Sequence, residues 1–522
     1  MPPTDFLSFW GKAQPQPGTS AGWHPVAYHL LDVAAVAEAL LVARPTTAAR
    51  LARPLALPAD EARRLVVALA GVHDLGKFAP AFQAKARDHW PASVLGPYRD
   101  ECAVKRAHTV DGIVLWDRHL AGRLGARVWE GGAEPLRLLA PAVFGHHGRP
   151  VAVGGDPVRL RFRQGLAAAE RCTEAVLALL LPSAIVAPPP EESGVRLASW
   201  LLSGVLTVAD WVGSNERWFP YTAPDPADAT LQGYWARAQE QAQVAIREAG
   251  LIPSTPSPER PFAEIARRPD APTPVQMWAS RVALPGPPTL FVVEDVTGAG
   301  KTEAAQMLVH RLMAAGRATG AYWAMPTMAT ANAMYARQGT AIGVLYAPRD
   351  DGARPSLVLA HGQQALHERF RRTVLRAEGE DPTARARRDD GGDEALESSV
   401  ACAAFLADDR RAALLADIGA GTVDQALLGV LPSRFNTLRL FALADKVLVV
   451  DEAHAYDAYM GVEIQELLRF HAALGGSAVV LSATLSRRQR VALAQAWSDG
   501  LAGGGRGATF GGGVALASSE YP

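Results

Sequence analysis

The sequence is poor in cysteine, and this scarcity excludes a whole class of small secreted folds. Among 522 residues only three are cysteines, Cys102, Cys172 and Cys402, and none of them forms a CxxC pair. Three cysteines cannot complete a disulfide framework, which is how small secreted domains are usually stabilised. We therefore expect a protein of a reducing compartment, the cytoplasm.

Excess charge and export signals are also missing. Lys and Arg together number 52 against 53 for Asp and Glu, so contact with nucleic acid must come from local patches instead of a global positive field. The amino-terminal stretch MPPTDFLSFWGK lacks a basic region followed by an apolar one. No uninterrupted apolar run of about 18 residues follows. We expect neither secretion nor a membrane-spanning segment.

What the sequence does have is enough apolar mass for several domains, with two kinds of periodicity. Hydrophobic residues make up 49% of the chain, which suffices for two or three separately cored domains. From Pro25 to about Leu206 apolar residues recur at three- and four-residue intervals, which predicts an all-α first domain. Further on, TLFVVE, GAYWAM, SLVLA, KVLVVD and SAVVLS alternate with helical stretches, a pattern typical of a parallel sheet in a RecA-like α/β domain.

Proline marks the predicted boundary between these domains. One amphipathic helix, about Leu231 to Ala249, precedes the segment IPSTPSPERP, which can continue neither a helix nor a central strand. The sequence therefore predicts a first domain at 1–225, a helix and proline-rich linker at 226–275, an α/β lobe at 276–505 and a further linker at 506–522.

Histidines are concentrated in the predicted helical domain. Eight of the thirteen lie within the first 147 residues, and they include a His-Asp and a His-His doublet. Imidazole and carboxylate ligands suit first-row transition metals. A shared aspartate can bridge two ions about 3.5 to 4 Å apart, which clamps both oxygens of a phosphodiester displacement. Any one of these histidines could be merely structural, but the set favours these metal ligands: His29, His73, Asp74, His108, His146, His147 and Asp210.

The residues around the His-Asp doublet refine this prediction. We expect the doublet at a helix end, with Gly76 ending the helix and Lys77 placed to neutralise a phosphate oxygen as a catalytic residue. His24 is the rival of His29, but Pro25 after it predicts a turn. His24, His89 and His119 are therefore interpreted as structural.

A second set of residues predicts a nucleotide site. The segment DVTGAGKT follows the strand-like TLFVVE and precedes a helical pattern, the context of a phosphate-binding loop. Its backbone N–H groups at Gly298, Ala299 and Gly300 would approach the phosphates. Lys301 would reach the β and γ oxygens, and Thr302 would bind Mg²⁺. A strict P-loop has glycine where this chain has Asp295.

Five more positions fit an ATP-driven motor. Asp451 after KVLVV would hold the Mg²⁺ shell, and Glu452 would polarise the attacking water as a catalytic residue. Gln276 is placed to read adenine. Ser482 and Thr484 fit the element that couples nucleotide state to the grip on nucleic acid.

These motifs resemble those of the signature HD nuclease and DEAH-box helicase of type I CRISPR-Cas systems. The resemblance runs from HPVAYHLLDVAAVA to SATL and includes MPTMATANAMYAR, GTVDQALL and DEAHAYDAYM. The expected fold class is therefore multidomain, an all-α HD-type metal-dependent domain followed by an α/β RecA-like lobe with a parallel sheet.

The resemblance also implies ligand sets and chemistry. In ADWVGSN it makes Asp210 the last metal ligand and Ser214 a catalytic hydroxyl that lines the site. It implies cleavage of single-stranded DNA, ATP-driven translocation with Mg²⁺, and partnership with an RNA-guided, Cascade-like surveillance complex. The implied ions are two of Mn, Fe, Co or Ni, one held by His29, His73, Asp74 and Asp210, and the other by Asp74, His108, His146 and His147.

The end of the chain departs from this family, because it precedes the second RecA-like lobe that supplies arginine to the ATP site. We expect nuclease chemistry and weak nucleotide binding without processive unwinding.

Two other functions remain open, a phosphohydrolase acting on small nucleotides and a non-catalytic docking subunit. Candidate contacts to DNA are the alternating Arg159, Arg161 and Arg163, and the aromatic rings of Trp211 and Trp218.

Overall fold

The structure is a computed structural model. It describes residues 5–13, 21–130, 132–151, 163–225, 230–267, 270–349, 355–360 and 414–503. These form two compact units. The first comprises Met1–Pro253, Val358–Ala416 and Pro432–Ala442, and the second comprises Ser254–Leu357, Asp417–Leu431 and Leu443–Pro522.

The first unit is helical. A short antiparallel pair, β1 (Trp10–Lys12) and β2 (His24–Pro25), stands before its helices. The helices of this unit up to residue 253 are α1 (Val26–Ala43), α2 (Pro45–Ala52), α3 (Ala59–Ala70), α4 (Pro80–Gln83), α5 (Ala92–Leu95), α6 (His108–Leu115), α7 (Ala121–Val128), α8 (Glu134–Val143), α9 (Arg163–Leu180), α10 (Glu192–Gly213) and α11 (Gln232–Glu248).

Helix α1 lies at the centre of this unit and packs against α3, α10 and α11. It is buried over nearly its whole surface, because its sequence is apolar all round instead of along one stripe. By length and composition alone α1 and α10 are also apolar enough to cross a membrane. Both are mostly buried in the fold, and core helices of soluble proteins pass the same test.

The second unit is an α/β lobe. Its strands are β3 (Leu290–Glu294), β4 (Gly320–Met325), β6 (Ile418–Thr422), β7 (Lys446–Val450) and β8 (Ala478–Ser482), while β5 (Leu357–Ala360) has only its first residue in this unit. Its α-helices in the described residues are α12 (Phe262–Ala266), α13 (Pro274–Arg281), α14 (Lys301–Ala314), α15 (Met328–Leu345), α16 (Val423–Leu427), α18 (Ala458–Ala473) and α19 (Arg487–Leu501). Helix α17 (Asn436–Ala444) begins in the first unit and ends in the second.

The strands form a six-stranded sheet in the order β3-β8-β7-β4-β6-β5. Pairing is parallel from β3 through β8, β7 and β4 to β6. Strands β4, β7 and β8 are buried along their whole length, which matches their continuous apolar runs. Since parallel strands end at one edge, the loops after β3, β7 and β8 share that edge, where α/β sheets bind ligands.

The expected fold class is confirmed, because an all-α unit precedes a parallel α/β lobe. The predicted helix between the domains is α11, and it packs on α1. The domain limits themselves stay a prediction, and residues 506–522 lie outside the described part. Cys102 and Cys172 are free thiols, whereas Cys402 lies outside the described residues.

Candidate metal centre and nucleotide-binding loop

Five separate elements of the first unit carry the predicted metal ligands. His29 lies within α1, and Asp210 lies in the last turn of α10. The His73-Asp74 doublet lies in the turn after α3, the His146-His147 doublet in the turn after α8, and His108 at the first position of α6. Helix ends and turns leave these side chains free of intrahelical packing, so they can converge.

The expectation that Gly76 ends a helix is wrong. Helix α3 already ends at Ala70, with Gly71 as its cap, and Gly76 lies in a 3₁₀ helix, Leu75–Phe78. A Cβ at position 76 would overlap the carbonyl oxygen of His108 and stand 2.6 Å from the Gly112 nitrogen. Glycine is therefore needed at position 76 to bring the His-Asp turn against the start of α6.

Asp74 is the centre of the cluster. Its Oδ2 lies 3.0 Å from Nε2 of His29 and 3.4 Å from Nε2 of His73. Its Oδ1 lies 2.9 Å from Nε2 of His108 and 3.4 Å from Nε2 of His146. One carboxylate thus presents each oxygen to a different pair of imidazoles, which is the geometry of a bridging ligand.

The remaining ligands complete two groups around this carboxylate. Oδ1 of Asp210 lies 3.7 Å from Nε2 of both His29 and His73. Nε2 of His147 lies 3.5 Å from Nε2 of His108. Within each group the candidate ligand atoms lie within 4.8 Å of one another, and the groups are His29, His73, Asp74, Asp210 and Asp74, His108, His146, His147.

Several of these atoms fit cations because they are buried without a hydrogen bond. This holds for Nε2 of His73 and His146 and for Oδ2 of Asp210. Such groups are costly unless something outside the chain satisfies them. The opposite ring nitrogens of the two histidines are held by backbone carbonyls, at 2.7 Å for His73 and 3.0 Å for His146. These bonds orient Nε2 towards the cluster, as carbonyls do behind metal ligands.

The cluster holds its carboxylates ionised. Burial acts to raise the pKa of Asp74, but Lys77, His73 and His108 lower it well below its ordinary value. The pKa of Asp210 is likewise well below its usual range, since His73 and His146 outweigh burial. Burial lowers the pKa of His29, whereas Asp74 and Asp210 outweigh burial at His73 and raise its pKa to about 9. Both carboxylates are thus ionised, which is the form that binds cations.

Both predicted catalytic side chains of this unit contact the ligands. Nζ of Lys77 lies 2.7 Å from Oδ2 of Asp74, and the side chain is buried. The hydroxyl of Ser214 donates to Oδ1 of Asp210 at 3.0 Å. Their catalytic roles stay predictions, whereas the structure shows that both contact candidate metal ligands.

The residues left outside the metal set have other partners. His24 lies 2.9 Å from Asp32, and Tyr234 donates to the same carboxylate. Trp211 is buried in the core, and Nε1 of Trp218 donates to Glu248. These two rings are therefore not exposed to stack on bases. Arg159 and Arg161 lie outside the described residues, as does the side chain of Arg163.

Sequence reasoning missed Lys12 altogether. This strand residue is buried, and its Nζ donates to the backbone oxygen of Ser214 at 2.9 Å. Burial and the nearby Lys77 lower its pKa to about 8. No motif marks a single lysine in WGK, and only the fold places it beside residues 200 positions away.

The predicted phosphate-binding loop joins β3 to α14 in the second unit. Gly298 and Gly300 have φ angles of +87° and +92°, which other residues rarely adopt. Nζ of Lys301 donates to the carbonyl oxygens of Asp295, at 2.6 Å, and Val296, at 3.0 Å. Thr302 is half-buried in the first turn of α14. The Lys301 ammonium group therefore donates to carbonyl oxygens of the loop itself. Phosphate oxygens would have to take the place of these acceptors when a nucleotide binds.

The other predicted motor residues lie at the same sheet edge. Asp451 follows β7, burial raises its pKa, and its Oδ1 accepts from the N–H of Glu452 at 2.9 Å. Glu452 has a φ of +49°, a strained angle that re-aims the chain after the strand. Ser482 donates to the Thr484 oxygen at 3.1 Å.

His454, which the sequence reasoning did not single out, lies 3.1 Å from the Ser482 hydroxyl. The DEAH letters themselves were the signal for it, since they place a histidine two residues after Glu452.

Gln276 is arranged differently from its prediction as an adenine-reading residue. Its Oε1 accepts from the Thr273 N–H at 3.0 Å, and its Nε2 donates to the Gly300 oxygen at 3.3 Å. The side chain caps the start of α13 and contacts the phosphate-binding loop. In this arrangement the oxygen and the nitrogen of the amide each form a hydrogen bond within the chain. An adenine could bind Gln276 only by replacing these two hydrogen bonds.

Comparison with known proteins places the chain in a family. Residues 10–219 match the family "Cas3, HD domain". The chain belongs to the Cas3 family. It is 34% identical over 509 residues to the CRISPR-associated endonuclease/helicase Cas3 of Thermus thermophilus, an alignment with 94% of this chain and 51% of that protein. With the protein of the same name from Escherichia coli it shares 30% identity over 92% of this chain and 54% of the relative.

A solved structure agrees in fold. The crystal structure of T. fusca Cas3 with ATP matches 98% of this chain and 53% of its own, with 27% identity and a TM-score of 0.73. The chain thus spans about half the length of the Cas3 relatives that it matches.

Proposed function

We propose that this Cas3 chain is a metal-dependent nuclease that cuts single-stranded DNA and carries an ATP-binding lobe of a DNA helicase. The observation that carries the proposal is the position of Asp74, whose two oxygens face different pairs of histidines. Buried ligand atoms without hydrogen bonds around it support cation binding. A pair of divalent ions would supply Lewis-acid activation of the scissile phosphate and of the attacking water.

The chain's own residues would prepare this site for a phosphodiester. Asp74 would bridge the ions, and His29, His73, Asp210, His108, His146 and His147 would complete their shells. Lys77 is already held at the bridging carboxylate and would place a positive charge beside a phosphate oxygen. Ser214 fixes one oxygen of Asp210 and leaves the other to a cation.

The donor set supports transition metals over Mg²⁺. Five imidazoles and two carboxylates make a nitrogen-rich site, and imidazole suits first-row transition metals, while Mg²⁺ prefers oxygen ligands. We propose two ions of Mn, Fe, Co or Ni as the cofactors.

At the second site we propose ATP with Mg²⁺. The loop at Gly298, Ala299 and Gly300 would bind the phosphates, with Lys301 turned from its loop carbonyls to the phosphate oxygens. Thr302 and Asp451 would hold Mg²⁺, and Glu452 would orient the water. Ser482 and Thr484 would transmit nucleotide state, and Gln276 would read adenine after release from Gly300.

The partners and place of action follow from the family. Its named relatives are CRISPR-associated, so we propose that the chain acts with an RNA-guided, Cascade-like surveillance complex in the cytoplasm to degrade foreign DNA. Contact would be mainly to phosphates, because a degrading enzyme must accept any sequence.

Digestion of circular single-stranded DNA tests the nuclease proposal. Purified protein supplied with Mn²⁺, Co²⁺ or Ni²⁺ should cut the circle, while Asp74→Ala should not. Asp60→Ala, an exposed aspartate on α3, is the matched control and should cut normally.

Three outcomes would contradict the proposal. Equal cutting by Asp74→Ala and wild type would remove the bridging carboxylate from the mechanism. Hydrolysis of nucleoside phosphates without DNA cutting would indicate a small-nucleotide phosphohydrolase, and protein that binds no metal would indicate a docking subunit.

A further inference from the structure

Lys12 stands out as a buried cation that the proposed mechanism does not use. It ends strand β1 and is paired in register with His24 of β2, immediately before the helix that carries His29. Its Nζ donates to the backbone oxygen of Ser214 at 2.9 Å. Burying an ammonium group is costly unless nearby groups compensate it. Here Asp210, Asp32 and Asp74 act against the desolvation.

Lys12 reaches a metal ligand through one intermediate residue. Ser214 caps the carboxyl end of α10, and its N–H donates to the backbone carbonyl oxygen of Asp210 at 2.8 Å. Its hydroxyl donates to Oδ1 of Asp210 at 3.0 Å. Carbonyls at a helix end lack intrahelical partners and attract cations. The ammonium group thus holds the residue whose hydroxyl orients Asp210.

Close packing leaves this helix end little alternative position. A Cβ at Gly213 would stand 3.0 Å from the Val33 nitrogen and 3.1 Å from the Asp32 carbonyl carbon. The end of α10 is thus fitted between α1 and the amino-terminal strand pair. Lys12 supplies the polar link on the strand side.

We propose that Lys12 is a positioning residue for the metal ligand Asp210, acting through the carbonyl and hydroxyl groups of Ser214. The inference rests on the proposed metal centre and adds a residue that assembles one of its two ion sites. This positioning role and a purely electrostatic role predict opposite changes in cation affinity when Lys12 is replaced. Removing a positive charge beside a cation site should strengthen cation binding, whereas losing the orientation of a ligand should weaken it.

Titration of the metal-free chain with Co²⁺ tests this, with the absorption of bound Co²⁺ and calorimetry as readouts. Lys12→Met should bind one of the two ions about tenfold or more weakly, with an altered Co²⁺ spectrum. Lys12→Arg keeps a positively charged side chain that is long enough to reach the Ser214 carbonyl, so it should restore both the Co²⁺ affinity and the Co²⁺ spectrum. Lys446→Met is the matched control, since Lys446 is an equally buried lysine at the start of β7.

A double-mutant cycle then locates the pathway. If Lys12 acts through Ser214, the double variant Lys12→Met with Ser214→Ala should bind Co²⁺ no more weakly than Ser214→Ala alone. Additive losses would overturn the proposal, as would unchanged or tighter binding by Lys12→Met. If Lys12→Met does not fold, Lys12→Gln takes its place with the same expected loss.

The same titration distinguishes failure of the proposed metal centre from failure of the proposed role of Lys12. Wild-type protein that binds no Co²⁺ would contradict the metal centre itself. Wild-type protein that binds two ions, beside a Lys12→Met variant that binds them equally well, would contradict the role of Lys12 alone.

Discussion

The candidate metal centre and the predicted nucleotide-binding loop are built in opposite ways. The seven candidate metal ligands come from five elements across nearly two hundred residues, and the fold alone brings their atoms together. The loop from Asp295 to Thr302 is one continuous stretch, and Lys301 is bonded to its own backbone. The first site is preorganised by tertiary packing and leaves buried atoms unsatisfied. The second has satisfied its lysine internally and must rearrange to bind a ligand.

The largest effect should come from removing the shared ligand. Asp74→Ala leaves Lys77 and four imidazoles around a missing carboxylate, so neither ion keeps its bridge. We expect metal content to fall from two ions to none in elemental analysis of protein reconstituted with Mn²⁺. The loss of affinity should exceed the roughly 100-fold seen for outer-shell partners. Nucleotide binding should persist, and if it disappears with the metal, the two sites are not independently built.

Gly76→Ala tests whether the metal centre depends on close backbone approach. The added methyl group would overlap the His108 carbonyl, so the His-Asp turn must move away from α6. We expect a loss of about 3 kcal/mol in the free energy of unfolding, measured by denaturant titration. Gly122→Ala on α7 is the control, since its Cβ would meet nothing within 4 Å, and it should be neutral or slightly stabilising. Equal effects of the two substitutions would contradict the packing argument.

Lys301→Ala tests the nucleotide site independently of the metal centre. Loss of a charged hydrogen bond to phosphate costs about 1.5 to 3 kcal/mol, so the Kd for ATP should rise about 10- to 150-fold in a fluorescent-nucleotide titration. Metal content should stay at the wild-type value, because Lys301 lies in the other unit. A matched fall in metal content would break the distinction between the two sites.

The smallest effect is a pH dependence of metal affinity. The pKa of His73 is raised to about 9 in the metal-free protein, so this ring carries a proton at neutral pH. A histidine must lose its extra proton to bind a metal, so binding releases that proton, and affinity should fall as pH falls below about 9. One such proton gives about a tenfold change per pH unit. Calorimetry of Co²⁺ binding in buffers of different ionisation enthalpy measures it, and binding without proton release would contradict the shift.

The sequence indicates the types of candidate ligand but not their arrangement. Spaced histidines, the two doublets and the family motif at ADWVGSN were enough to select the seven candidate ligands that the structure brings together. It failed at Gly76, since a glycine after a helical pattern looks like a helix end, while close approach to His108 leaves no mark on the sequence. It also failed at Lys12, whose partner Ser214 is 202 residues away. Contacts of this kind depend on the path of the whole chain.

The sequence by itself determined the two domain types and their order. Helical and strand periodicities are local properties, because each arises from the side chains within one element. It determined the local form of the predicted phosphate-binding loop for the same reason, since Gly298, Gly300 and Lys301 are neighbours along the chain.

The tertiary structure decided which oxygen of Asp74 faces which histidine, and that a lysine from the first strand reaches the end of α10. It also decided that Gln276 contacts the loop at Gly300. Such distances depend on how helices and turns pack in three dimensions, because packing selects one arrangement among many that the same local patterns allow.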